Sequence, residues 1–189
     1  MTFEEDHIDL EKDDQYHIFP PFVKRIISFD EWIHWRKSYK ILFMKLFFHP
    51  NVYFYSERPP YEIYNDDDNF TEFEQKQFLI RQQYFLKNYG RVFPLFGYFA
   101  IPFIGRTGVK LSGFYTQYLK HGFLKDETIE FGENDIINFS APPLTQEQQE
   151  KLRIQSFHEL IPVVQRMQNL MRVQPKISDE MQEKYKNSE

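Results

Sequence analysis

Residues 92–104 read VFPLFGYFAIPFI, the longest uncharged apolar run of the chain, lying between Arg91 and Arg106. What this run does decides the fold. As a helix, thirteen residues rise only about 20 Å, short of the ~30 Å hydrocarbon core of a bilayer. A span must therefore borrow residues. The window 84–104 brings in Lys87 and Arg91, and the window 92–112 brings in Arg106 and Lys110 near one end, where long side chains can snorkel. Ten Phe, Leu, Ile or Val residues in each window contribute about −3 to −6 kcal/mol on an insertion scale. One central charge costs roughly +2.5 to +3.5 kcal/mol. Pro94, Pro102 and the glycines weaken the helix further. The sum lies near balance and leaves two readings. One is a single membrane-associated segment within 84–112; the other is an irregular segment buried in protein. In both, Phe93, Phe96, Phe99 and Phe103 are candidate contact residues.

Upstream, Ser28-Phe29-Asp30-Glu31 forms a capping box, and the spacing predicts a helix over 29–48, ended by His49-Pro50. Trp32, Trp35, Tyr39, Leu42, Phe43 and Leu46 make one apolar stripe, with Lys37, Lys40 and Lys45 in the later half. Tryptophans with a basic polar face suit a helix lying on a membrane interface. A surface helix covering a core has the same pattern. Trp32, Trp35, Lys37, Lys40 and Phe43 are candidate partner or membrane contacts. Before this helix, Pro20-Pro21 favours an extended path. Residues 1–16 read as an acidic tail with seven carboxylates against Lys12. Such a start is neither a secretory signal nor a cleavable presequence.

Downstream, Val52–Tyr55 reads as a short strand. Thr71-Glu72-Phe73-Glu74 is a second capping box for a helix over 72–88, with Gly90 as its stop. A further helix is expected over 113–121, and a small β-hairpin near 128–139 around Gly132–Asp135. Thr145–Gln148 is a third capping box, opening a helix over 146–173 before Pro175. On it Ile154, Phe157, Ile161, Val164 and Met171 repeat at three- and four-residue steps, with Gln168 interrupting. This coiled-coil-like seam suits either internal packing or a partner helix. The whole is mostly α with extended loops and arms: an acidic tail, a mainly helical body over 17–174, and a charged C-terminal arm over 175–189.

Chemistry leaves no signature. Cysteine is absent, which excludes disulfides and thiolate chemistry. No phosphate loop, dinucleotide turn, nucleophile elbow or zinc-binding helix motif occurs. The six histidines include no i, i+4 pair. Asp66-Asp67-Asp68 lacks the pattern of a calcium loop and reads as solvated. No catalytic, cofactor or metal residue is therefore expected, and no enzyme.

Ile104-Gly105-Arg106-Thr107-Gly108-Val109-Lys110-Leu111 resembles the GXXG loop of KH nucleic-acid-binding domains, where two glycines let backbone approach phosphates. The resemblance implies nucleic-acid binding. The preceding prolines stand where that family has a helix, and the net charge of −5 opposes it. A turn joining two elements is the competing reading, and no nucleic-acid partner is expected.

The distinctive feature is the rings: 21 Phe, 12 Tyr and 2 Trp. Phe, Tyr, Ile, Asn and Lys, whose codons are A/T-rich, supply 71 residues against two alanines. In composition the chain resembles accessory subunits of mitochondrial respiratory-chain complexes of protists with A/T-rich genomes. The resemblance implies a non-catalytic subunit of a large assembly at the mitochondrial inner membrane. Its partners would be other protein subunits and membrane lipids. A soluble helical adaptor is the alternative, followed by a peripheral subunit of an ATP synthase.

Overall fold

The computed structural model describes residues 13–59, 61–65, 67, 69–133 and 136–186. Most of the acidic tail, Asp66, Asp68 and the tip of the hairpin lie outside the described residues. The chain divides into two compact units. One is built from both ends of the sequence, up to Lys45 and from Ile161; the other is Leu46–Leu160. The described residues are mostly helical, with one two-stranded hairpin. None of their helices is long and apolar enough to cross a membrane.

The first unit opens with a 3-10 turn, Asp13–Ile18, then α1 (Pro21–Ile26) and α2 (Phe29–His34). Pro21 occupies the first position of α1, where its missing N–H costs nothing. The expected extended path is thus helical. The expected single helix over 29–48 is two, α2 and α3 (Lys37–Phe48), broken at Trp35, whose backbone is extended. On a straight helix Trp32 and Phe43 would sit about 16 Å apart along the axis. With the break their ring centroids are 6.0 Å apart, and Trp35 lies 5.4 Å from Phe43. Phe19 adds edge contacts to both Trp32 and Phe43.

Gln168, which interrupts the apolar seam of the last helix, α8 (Gln146–Lys186), has a definite job. Its amide donates to the Ile26 carbonyl and to the Glu31 carboxylate. Arg172 donates to the same carboxylate at 2.8 Å. Glu31 also closes the capping box with Ser28. The structure carries α8 past Pro175, where its end is expected, to Lys186.

The second unit holds α4 (Pro50–Ser56), α5 (Glu72–Tyr89), α6 (Phe96–Ala100), α7 (Gly108–Lys120), β1 (Ile129–Phe131) and β2 (Ile137–Phe139). The expected strand at Val52–Tyr55 is the helix α4. Pro50 ends α3 but starts α4, again from the first helical position. Helix α7 begins five residues before the expected start, because Thr107 caps it through the Lys110 amide. β1 and β2 pair antiparallel, Ile129 opposite Phe139 and Phe131 opposite Ile137.

The run 92–104 forms the centre of this unit. It folds as turns around the five-residue α6, not as a span. Phe99 is fully buried, with the rings of Phe78, Phe85, Phe96 and Phe103 all within 6 Å of its own. Helix α6 can approach α4 this closely because residue 97 is glycine. A Cβ there would lie 1.7 Å from the Asn51 carbonyl oxygen. The Asn51 side chain closes the contact, accepting from the Tyr98 amide and donating to the Pro94 carbonyl.

Two carboxylates tie these local structures to pH. Burial pushes the Glu31 carboxyl up, but the Ser28 amide, Arg172 and Gln168 together outweigh it and hold it below its ordinary value of 4.5. The Arg106 guanidinium holds Glu74 low against burial, helped by Thr71. Both groups have a folded value below the unfolded one. Their stabilisation is therefore present above the unfolded value and is lost as pH falls through the folded values. The urea midpoint should decline on acidification in that window, and Glu31→Gln with Glu74→Gln should flatten the decline. An unchanged slope in the double variant would show that other carboxylates govern it.

Candidate partner-binding site

Helix α5 carries two apolar stripes. Phe78, Gln82, Phe85 and Tyr89 are buried against the core of the second unit. On the outside, Phe73, Gln77, Ile80 and Tyr84 follow steps of four, three and four residues. Phe73 is 68% exposed, Ile80 61% and Tyr84 38%. A helix that only covers a core has a polar outer face.

Gln77, Ile80 and Tyr84 form one wall of a groove of about 500 Å³, with Pro102 and Phe103 beside them and Gln155 and Glu159 of α8 opposite. Its floor is Arg81. The guanidinium donates to both carboxylate oxygens of Glu159, at 2.8 and 2.7 Å, and to the carbonyls of Phe99 and Tyr98. It also lies over the rings of Phe85 and Phe99. The Gln155 amide donates to Glu159, and the Tyr89 hydroxyl donates to Gln155. Burial raises the Tyr89 phenol well above its ordinary value, so it stays a neutral donor.

This chain of bonds engages the two charged groups that line the groove. Arg81 and Glu159 neutralise each other, and a bidentate pair with two further carbonyls is rigid. Such a lining offers shape, exposed rings and aliphatic surface, which is the make-up of an interface core. Among the described residues no group of three His, Cys, Asp or Glu is placed to hold a metal ion.

Of the residues put forward from sequence, Phe103 lines the groove and the others lie elsewhere. Trp32, Phe43, Phe96, Phe99, Phe103 and Val164 are buried within the chain. Trp35, Phe93, Phe157 and Ile161 are half-buried. Lys37 and Ile154 are exposed. Lys40 lies over the Trp32 ring at 5.6 Å, not on a free basic face. Among the described residues the buried positions of α8 are Leu152, Ser156, Leu160, Val163, Val164, Met167 and Gln168, so the buried stripe is rotated from the expected seam and shares Val164 with it. The side chain of Met171 lies outside the described residues.

The GXXG loop faces inward. Gly105 has φ +76°, and a Cβ on it would lie 2.5 Å from the Ile63 carbonyl. A Cβ on Gly108 would lie 2.8 Å from the Phe96 carbonyl oxygen. The two glycines admit the protein's own backbone, the position that phosphate occupies in a KH loop. Arg106 between them is buried, pairing with Glu74 and donating to the carbonyls of Asn65, Asp67 and Asn69.

Sequence reasoning missed Phe73, Ile80 and Tyr84 as a set. Their spacing was available, but Gln77 interrupts it, and the inner stripe of α5 is stronger. Glu159 lies 78 positions from Arg81 and had no local signal at all. No family model, curated protein sequence or solved structure matches this chain.

Proposed function

We propose that the chain is a non-catalytic accessory subunit of a larger assembly, and that the α5 groove receives an uncharged apolar segment of a neighbouring subunit. The observation that carries this is the outer stripe of α5, with Phe73 and Ile80 more than half exposed beside a groove whose charges are already paired. Apolar surface gathered along a groove marks an interaction site more often than scattered exposed residues do. The absence of a net charge in the lining favours an apolar occupant, because a charged one would be desolvated there without a partner. The A/T-codon composition supports a more specific placement, in a respiratory-chain complex of the mitochondrial inner membrane.

Native-gel migration of the tagged protein from its own cells is the test. A species of the 23.2 kDa chain migrating alone would overturn the assembly reading. Co-fractionation with inner-membrane respiratory complexes is expected, and migration with a soluble complex would favour an adaptor. Ile80→Asp with Tyr84→Asp should leave the isolated chain within about 1 kcal/mol of its normal stability, as exposed substitutions do. The same pair should lower the assembled fraction roughly tenfold or more, as expected for residues central to an interface.

A further inference from the structure

Three arginines of the second unit share one design. Arg58 pairs with Glu62, Arg81 with Glu159 and Arg106 with Glu74, and each also donates to at least two backbone carbonyls. Arg91 departs from it. It is only 8% exposed, and among the described residues no carboxylate pairs with it. Its one hydrogen bond runs from Nη2 to the Ala141 carbonyl at 3.0 Å. Phe139 covers one face of the guanidinium, 4.8 Å away. Nε is sealed from solvent with no acceptor, whereas Nη1, also without an acceptor, is not among the sealed atoms.

A covered cation with no counter-charge is costly, and burial lowers the basicity of this one. Three residues upstream, Asn88 accepts from Gln148 and, at 2.6 Å, from Lys151, which ties this segment to the start of α8. With one face covered, Nε sealed and Nη2 engaged, Nη1 is the donor left open to a group from outside. A charged N–H in that position suits an oxygen of a planar or tetrahedral oxyanion.

We infer that Arg91 is the anchor of an oxyanion-binding site beside the start of α8, taking a carboxylate or a phosphate group from outside the chain. The site is distinct from the α5 groove and does not depend on it.

The test uses the full chain, with sodium phosphate or sodium acetate replacing sodium chloride at constant ionic strength. The Arg91 Nε–H resonance, assigned by its loss in Arg91→Lys, should shift saturably with one of these anions. A response to phosphate alone identifies a phosphate group; a response to acetate identifies a carboxylate. At tenfold excess over Kd the melting temperature should rise by roughly 3–6 °C. Arg91→Met should lose that rise, while melting in chloride no lower than the parent chain. Arg91→Lys, which keeps the charge without the fork, should retain a smaller rise. A wild-type resonance that neither anion moves overturns the site, whatever the variants do.

Discussion

Gly97→Ala is expected to remove most of the stability of the second unit, with a loss of about 3 kcal/mol or more. The added Cβ would lie 1.7 Å from the Asn51 carbonyl oxygen and 2.5 Å from Asn51 Cα. Both are backbone atoms, so no side chain can swing aside. Helix α4 would have to retreat from α6 by more than an ångström. That retreat breaks the Asn51 bonds to Tyr98 and Pro94 and opens space beside Phe96 and Phe99. Gly113 of α7 is the internal control. A Cβ there meets nothing within 4 Å. Gly113→Ala should therefore stabilise the chain by about 0.5–1 kcal/mol through helix propensity and a less flexible unfolded state. Thermal melts of the two variants give the comparison. A Gly97→Ala chain melting with the parent would mean that the α4–α6 contact is looser than described.

Arg58→Met should be nearly as damaging. The Arg58 and Glu62 side chains are 0% and 1% exposed, and their charged atoms meet at 2.7 Å. Arg58 also donates to the Ala100 and Ile101 carbonyls at the end of α6 and lies over the Phe54 ring. Glu62 accepts from the Gly105 amide as well. Removing the cation alone strands a buried carboxylate, which costs about 3–5 kcal/mol. Removing both charges with apolar residues of similar length is much gentler. The double variant Arg58→Met, Glu62→Met should therefore be more stable than Arg58→Met alone, with a coupling of about 1–3 kcal/mol in a double-mutant cycle. Additive losses would contradict the pair.

The capping boxes were the most legible part of the sequence. Ser28–Glu31, Thr71–Glu74 and Thr145–Gln148 each form both reciprocal bonds. They are local, needing only residues three apart. Prolines were legible as punctuation but not in sign. Pro21 and Pro50 read as breaks, yet each begins a helix, because fixing φ and lacking N–H suit a first turn as well as an ending. The break at Trp35 had no local cause to read. It follows from Trp32, Trp35 and Phe43 converging on one another, a tertiary demand that overrides a continuous helical pattern. The run 92–104 posed a question that hydropathy alone could not settle. Its burial depends on rings of α5 and on the close approach of α4 at Gly97. The groove was hidden for the same reason, since its walls come from residues far apart along the chain.

The division into two units also sets an order of events during synthesis. The first unit joins residues from opposite ends of the polypeptide; Gln168 reaches the Ile26 carbonyl across 142 positions. Everything in Leu46–Leu160 leaves the ribosome between those halves. At translation rates of 5–20 residues per second, the N-terminal half waits roughly ten seconds for its complement. Through that interval Phe19, Val23, Trp32 and Phe43 are a nascent apolar cluster without their closing helix. The inserted unit can complete its own core first. A ribosome stalled once Leu160 has cleared its exit tunnel would thus display the inserted unit complete and the first unit without its closing helix, the state that a chaperone binding exposed rings would capture.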